Sequence, residues 1–451
     1  MVPNKFRHFS ALPHLGKATE LIFICALTAS LQTAVWPPAQ ADTPVPAAGA
    51  QSQLAQPIAP PAWHTIEAAT QALLTQQYLT GNWLGARDTL GNRGITPNVT
   101  FIQAVSGDAF GGLSTSKVDW RYRLDATLTL DMQKICGWKG GTAYVDFLNH
   151  GGQNPQNNLV GQLQAISAID QSPDTRLDQL WFEQTLLHKK ITLKFGRIDT
   201  TYDFDDPRDS LNFLNGSFGF TPAIFVFPSY PFSAWGGEVT LQPASSFFMH
   251  VGLFDGNTSN TLPALNTTNP LAVQNPFGIF GIAEEGLVWH LPWRQFTGTF
   301  VAGQWYHSGH FDAYNQPPVN GTEGIYGYVD QTLWRAGNKP GSDCPRLGAF
   351  AEYAWANDRV SLITQNVVAG LDWHALIPGR PEDDCGIGET WAALSKYAGT
   401  PRGYEAITEA FYNLQLTPWL GIQPDLQYVA TPSGGAAPDA LVWTLQMQIN
   451  F

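Results

Sequence analysis

Charge is what this chain has least of. Lys, Arg, Asp and Glu together make up 14% of its 451 residues, where soluble proteins carry about 25%. Basic residues are the scarcer kind, 24 against 37 acidic, for a net charge of −13. An acidic chain with no basic cluster excludes nucleic acid as a partner. Cysteine is nearly missing, with 4 residues and no CxxC pair, so a zinc or dithiol centre is not expected. Long apolar runs are missing as well. A helical membrane protein needs several stretches of about 20 apolar residues, and the one long run here lies at the N-terminus. Local catalytic signatures are also absent: there is no G-x-S-x-G, no G-x-x-x-x-G-K-[ST] and no H-E-x-x-H. The chain is not expected to be an enzyme or to carry a cofactor.

The N-terminal run reads as an export signal. Lys5, Arg7 and Lys17 form a basic region, residues 21–35 an apolar one, and Ala39-Gln40-Ala41 a cleavage site. Cys25 has no small-residue lipobox before it. Removal of 1–41 takes away Lys5, Arg7, Lys17 and Glu20, moving the net charge from −13 to −15. Of the three cysteines left, Cys344 and Cys385 both lie in Pro/Gly/Asp-rich stretches. They are the preferred disulfide pair in an exported protein, with Cys136 left over. Residues 42–62 are an Ala/Pro/Gln-rich linker. Residues 64–78 put Ile66, Ala69, Leu73 and Leu74 at helical spacing. Residues 63–95 are thus read as an N-terminal helical segment and 96–451 as one domain.

What the chain does have is aromatics, 12% with 16 Trp and 26 Phe, and alternation. In "VDWRYRLDATLTLD", 118–131, Val118, Trp120, Tyr122, Leu124, Ala126, Leu128 and Leu130 alternate with polar residues for fourteen positions. An extended strand turns successive side chains to opposite faces. A soluble half-buried strand usually alternates over about 4 to 8 residues, whereas a tilted membrane-crossing strand needs about 9 to 11. The pattern recurs at 141–150, 189–196, 237–243, 369–376 and 418–430. In 441–451 it sets Leu441, Trp443, Leu445, Met447, Ile449 and Phe451 against Val442, Thr444, Gln446, Gln448 and Asn450. Phe451, aromatic and in register with the greasy face, is the ending that outer-membrane barrels commonly carry. Gly/Asn/Pro/Asp stretches at 255–270 and 314–324 read as turns or loops.

Strands in lipid must close, because an open edge leaves N–H and C=O groups unpaired at several kcal/mol each. Roughly 370 residues, at about 20 to 25 per strand with its connection, give about 16 strands. The fold class is therefore all-β, a transmembrane antiparallel barrel with a short N-terminal helical segment, in a bacterial outer membrane. Parity puts Asp119, Arg121, Arg123, Asp125, Asp146, Glu183, Lys194, Glu238, Glu405, Glu409 and Asp425 toward a water-filled lumen. On the lipid face an Arg costs about 2 to 4 kcal/mol at mid-membrane. Arg121 and Arg123 are the best pair for a constriction, since a guanidinium is a strong, rigid donor. No metal is expected. Asp203, Asp205 and Asp206 within 197–210 are weak calcium candidates that do not follow EF-hand spacing. His307 and His310 at a strand end point to opposite faces.

Several segments also resemble the carbohydrate-selective porin (OprB) family of Gram-negative outer membranes. "YLTGNWLGARDTLGNRGI", 78–95, is similar to that family's N-terminal motif at Thr80, Gly81, Trp83, Gly85, Arg87, Gly94 and Ile95, with Asn82 and Leu84 standing for Asp and Gly. Residues 176–184, 193–204 and 228–256 follow in the family's order. Residues 409–435 match most closely, with Pro418, Trp419, Gln423, Pro424, Asp425, Gln427 and Tyr428 in place. The resemblance implies a 16-stranded porin for passive diffusion of glucose and related monosaccharides. Outer-membrane lipid, lipopolysaccharide and the barrel-insertion machinery are its expected partners. Porins commonly trimerise, so a homotrimer stays open. An outer-membrane barrel enzyme of lipase or protease type, or a non-pore structural or adhesive barrel, are the alternatives.

Overall fold

The computed structural model describes residues 62–256, 278–291, 296–337 and 344–451. The proposed signal, all but the last residue of the linker and the core of the 255–270 loop lie outside them. Period-2 segments become strands β1 (Ile95–Phe110), β2 (Val118–Asp131), β3 (Gly141–Gly152), β4 (Asp174–Leu186), β5 (Ile191–Ile198), β6 (Ala234–Ala244), β7 (Phe247–Asp255) and β8 (Ile279–Leu291). The second half follows with β9 (Phe296–Ala313), β10 (Gln316–Arg335), β11 (Arg346–Ala356), β12 (Ile363–His374), β13 (Asp384–Leu394), β14 (Tyr404–Thr417), β15 (Leu420–Ala430) and β16 (Ala440–Asn450). Each strand pairs antiparallel with its neighbours in sequence, and β1 pairs with β16, so the described strands close into a 16-stranded barrel. Closure leaves no unpaired edge.

Two unlike surroundings explain the alternation. On β2, Val118 and Trp120 are 55% and 47% exposed on the outer wall, while Asp119 and Arg121 are 2% and 1% exposed inside. On β9, Phe300 and Tyr306 face outward, while Trp305 and His307 are buried inside. Some carboxylates depart from the pattern: Glu285, opposite Ala302, and Glu389, opposite Thr408, share the outward parity of Leu287 and Ile387, and Glu323 near the rim shares that of Ile325.

Two connections fold into the bore. Residues 153–173, between β3 and β4, bring Leu159, Val160 and Ile166 against Ile407, Val429 and Val442 of the wall. Residues 199–233, between β5 and β6, carry a series of phenylalanines. Phe204 and Phe227 pack with Phe254, Phe280, Trp305 and Tyr326. Phe213 and Phe218 pack with Phe350, Val368 and Phe411. Burial of each such side chain is worth about 1.5–3 kcal/mol. Much of the interior is thus a solid core.

The N-terminal segment forms α1 (Ala62–Thr75), a 3-10 turn (Trp83–Gly85) and α2 (Ala86–Asn92). It is tied to one end of the barrel. Arg87 lies over the rings of Tyr78 and Trp83 at 3.8 and 4.2 Å and donates to the Phe451 carbonyl at 2.7 Å. Trp419 Nε1 donates to the Leu73 carbonyl at 2.7 Å, and Leu79 N–H to that of Asn450 at 2.8 Å. The motif residues Trp83, Gly85, Arg87 and Trp419 thus meet at the seam of the first and last strands.

Two expectations need correction. Residues 314–324 are not a loop: Tyr314 and Asn315 alone make the turn, Asn315 with φ of +51°, and β10 begins at Gln316. Pro317 and Pro318 read as turn formers, yet they sit where the β9–β10 register shifts between Gln316 and Val319, a place where a missing N–H breaks no ladder bond. Cys344 and Cys385 are not bridged; both are free, as is Cys136. Cys385 belongs to β13, opposite Trp373, and the parity it shares with outward-facing Ile387 commits its side chain to the outer wall.

Leu84 holds φ of +58° and is fully exposed, where the family pattern has glycine. A left-handed non-glycine residue costs about 1–2 kcal/mol. Leu84→Gly should therefore slow amide hydrogen exchange across residues 81–93 by roughly five-fold, about 1 kcal/mol of local opening. Unchanged or faster exchange would show that no strain is stored there.

Candidate functional site

A loop folded into a bore carries backbone N–H groups away from bulk water, and each needs an acceptor. The wall supplies them. Glu405 on β14 accepts from the N–H groups of Leu163 and Gln164, both at 2.9 Å, and from Ser433 at 2.7 Å. Glu409, two inward steps along beyond Ile407, accepts from Leu214 at 2.6 Å and Asn215 at 3.0 Å. Asp330 on β10 accepts from Asp209 N–H at 3.0 Å and from Arg208 at 2.8 Å. Asp372 on β12 takes Asn212 Nδ2 at 3.1 Å. Glu284 on β8 accepts from Asp205 N–H of the second loop at 3.3 Å and from the Tyr326 hydroxyl of β10 at 2.7 Å. These carboxylates hold the loops that shape the pore. Asp330, Asp372 and Glu284 escaped the sequence reading, although the same parity that selected Glu405 and Glu409 places them inside.

The strand register puts all eleven predicted side chains on the inner face, in different roles. Arg121 is fully covered: its Nε donates to Asp170 of the first inward loop at 2.6 Å. Asp119 accepts from Asn158 of that loop at 2.8 Å. Lys194 bridges Asp203 of the second loop at 2.5 Å and Glu238 of β6 at 3.0 Å. Asp425 accepts from Gln427 at 3.0 Å. Asp146 is buried opposite Thr127 and Gln179, and Glu183 lies opposite Thr142 and Lys194. Arg121 and Arg123, two residues apart on one face, do not act as a pair.

Of the eleven, Arg123 alone lines a cavity between the two inward loops. That cavity is about 880 Å³, with Tyr314 and Val360 at its outer rim. The guanidinium is pinned. It sits 4.1 Å over the Tyr230 ring, donates to Asp125 at 2.7 Å and reaches the Tyr202 hydroxyl at 3.3 Å. Phe220, Phe225 and Phe232 add ring surface, and Gln171, Asn215 and Asp206 add polar groups. The loop aromatics were not foreseen, because 199–233 has no periodicity to place them.

Burial pushes the Asp206 carboxyl up to about 6. The three calcium candidates diverge: Asp203 pairs with Lys194, Asp205 accepts from Thr221 N–H at 2.8 Å, and Asp206 faces the cavity. Among the described residues no group of three or more His, Cys, Asp or Glu is arranged to hold a metal ion. His307 is buried inside and bonds the Gly256 carbonyl at 2.7 Å, whereas His310 is outside with Asn320 at 2.8 Å.

Known proteins give a consistent comparison. The model of a family described as carbohydrate-selective porin, OprB family, matches residues 117–451. Porin B of Pseudomonas aeruginosa is 24% identical over 430 residues, covering 83% of this chain and 91% of the relative. A putative porin QuiX of Acinetobacter baylyi is 22% identical over 419 residues, covering 83% and 93%. Among solved structures, a high-pH structure of Pseudomonas putida OprB superimposes with a TM-score of 0.76 at 21% identity, covering 84% of this chain and 99% of the other. That likeness shows the fold.

Asp206 is neutral below a pH of about 6 and ionised above it. Raising the pH from 5 to 7.5 should therefore add negative charge to the cavity and raise the cation-to-anion permeability ratio, read from reversal potentials in a salt gradient. In Asp206→Asn that rise should disappear; a step that survives would assign it to another group. Arg121→Ala leaves the Asp170 carboxyl buried without its cation, a loss of about 3–5 kcal/mol for such pairs. Single channels of this variant should show larger and noisier conductance as 153–173 leaves the wall.

Proposed function

The chain belongs to the carbohydrate-selective porin (OprB) family, and on that premise we propose that its passage takes monosaccharides, glucose and its relatives, in single file past Arg123. The protein is a porin of the Gram-negative outer membrane, a channel for carbohydrate. What the proposal adds is the sugar class and the residues that meet it. The observation that carries it is the pinned Arg123 guanidinium beside the Tyr202 and Tyr230 rings, facing a cavity rimmed by Phe220 and Phe225.

A hexose has an edge of hydroxyls and a face of C–H groups. The guanidinium supplies fixed donors to hydroxyl oxygens, and Asp206 adds acceptors. Aromatic faces take the C–H side. Such a site replaces the water shed on entry without holding the sugar tightly, the condition for flux. Asp125 and Tyr230 keep Arg123 from swinging across the gap, so specificity does not depend on a mobile side chain. Passive diffusion needs no further chemistry. Export by a cleaved signal at 1–41, insertion by the barrel machinery, contact with lipopolysaccharide and a homotrimeric assembly belong to the same proposal.

Liposomes carrying the protein should swell in glucose faster than in disaccharides of the same osmolarity. Arg123→Ala removes charged hydrogen bonds worth about 1.5–3 kcal/mol each. It should raise the glucose concentration that half-blocks the single-channel current by about ten-fold. Background swelling with wild-type protein would end the sugar-pore proposal, and an unaltered block in Arg123→Ala would take that residue out of it.

A further inference from the structure

Below the inward loops, at the short-turn end of the barrel that also holds α1 and α2, the inner wall changes character. Asn413 and Gln415 on β14, Gln423 on β15, and Gln446, Gln448 and Asn450 on β16 line a hollow of about 80 Å³ around Gly421. None of them is charged or aromatic. Farther round the inner wall, β2 to β5 carry Asp125, Asp146, Glu183 and Lys194.

The arrangement is a grid. Gln423 stands directly opposite Gln446, Gly421 opposite Gln448, and Gln415 opposite Gly421. Opposed residues are about 5 Å apart, and successive inward residues on a strand are about 7 Å apart, so neighbouring amides are spaced on the scale of one sugar ring. Gly421 keeps the centre open. A Cβ there would lie 3.4 Å from Gln415 Oε1 and 3.6 Å from Asn413 Oδ1, so both oxygens turn toward the space that a side chain would fill. Gln423 and Gln415 commit their NH₂ groups elsewhere, to the Asn212 carbonyl at 2.7 Å and the Thr417 carbonyl at 2.6 Å. The side-chain amides of Asn413, Gln446 and Gln448 have no hydrogen-bond partner among the described residues.

We infer that this amide grid is a second, weaker sugar-binding site at the periplasmic exit, taking the hydroxyl edge of a neutral carbohydrate released from the Arg123 cavity. The inference rests on the porin reading above. An amide donates and accepts at once, as a hydroxyl does, and carries no net charge to concentrate ions. Because the hollow is too small to enclose a hexose, it holds one edge only. Binding therefore stays weak and release fast, and two shallow sites in series favour flux over one deep one.

The test is planar-bilayer recording with glucose added to one side at a time. In Gln446→Leu/Gln448→Leu, the glucose concentration giving half-block from the periplasmic side should rise three- to ten-fold, with block from the external side much less affected. Sugar-free KCl conductance should stay within about 20%, since no charge is altered. Gly421→Val, which fills the hollow without removing an amide from the chain, should reproduce the loss. Gln446→Asn/Gln448→Asn should keep block within two-fold. Unchanged periplasmic block in both the Leu pair and Gly421→Val would overturn the inference. So would a fall in sugar-free conductance that accounts for the loss. If wild-type channels show no sugar block from either side, the porin proposal fails instead, so the two failures are told apart.

Discussion

Every backbone N–H and C=O in this molecule that is removed from water needs a partner, and that one demand shapes both surfaces of the sheet. On the outside it forbids a free edge, so β1 must find β16. On the inside it returns in another form. Two connections, 153–173 and 199–233, leave the rim and enter the bore, carrying amide groups with no ladder to join. The wall answers with carboxylates, Glu405 and Glu409 on β14, Asp330 on β10 and Asp372 on β12. A barrel interior that reads as a row of charges for passing solute is, over much of its area, a set of anchors for its own loops.

The low charge content follows from the same division. Ionised side chains are costly against lipid, so most are turned inward. Once inside, they are paired with loops, as Arg121 is with Asp170 and Lys194 with Asp203. What remains between the loops is a cavity of about 880 Å³ rather than a wide tube. Its field comes from few groups, Arg123 and Asp206 among them. A neutral solute suits such a cavity, since little in it attracts or repels ions strongly.

The N-terminal segment ends where the sheet closes. Arg87, stacked on Tyr78 and Trp83, reaches Phe451, and Trp419 reaches back to Leu73. The residues that carry the family resemblance at the two ends of the chain are thus neighbours in space. Their shared position at the β1–β16 seam gives them a structural reason to occur together.

Strand alternation settled the class of fold and which face each side chain takes; with the cost of an open edge in lipid and the length of the chain it also settled closure and the strand number. Those depend on nearest neighbours in the chain and on the contrast between lipid and water, both of which a linear pattern carries. It could not settle depth. Arg121 and Arg123 have the same parity and the same surroundings in sequence, yet one is sealed beneath a loop and the other lines the cavity. The aromatic rim of that cavity comes from 199–233, where no period marks the residues, and the anchors join positions as far apart as Gln164 and Glu405. Only the folded chain decides those pairings, because they are fixed by which loop fills which part of the bore. That is a matter of packing between segments remote in sequence, which no local pattern records.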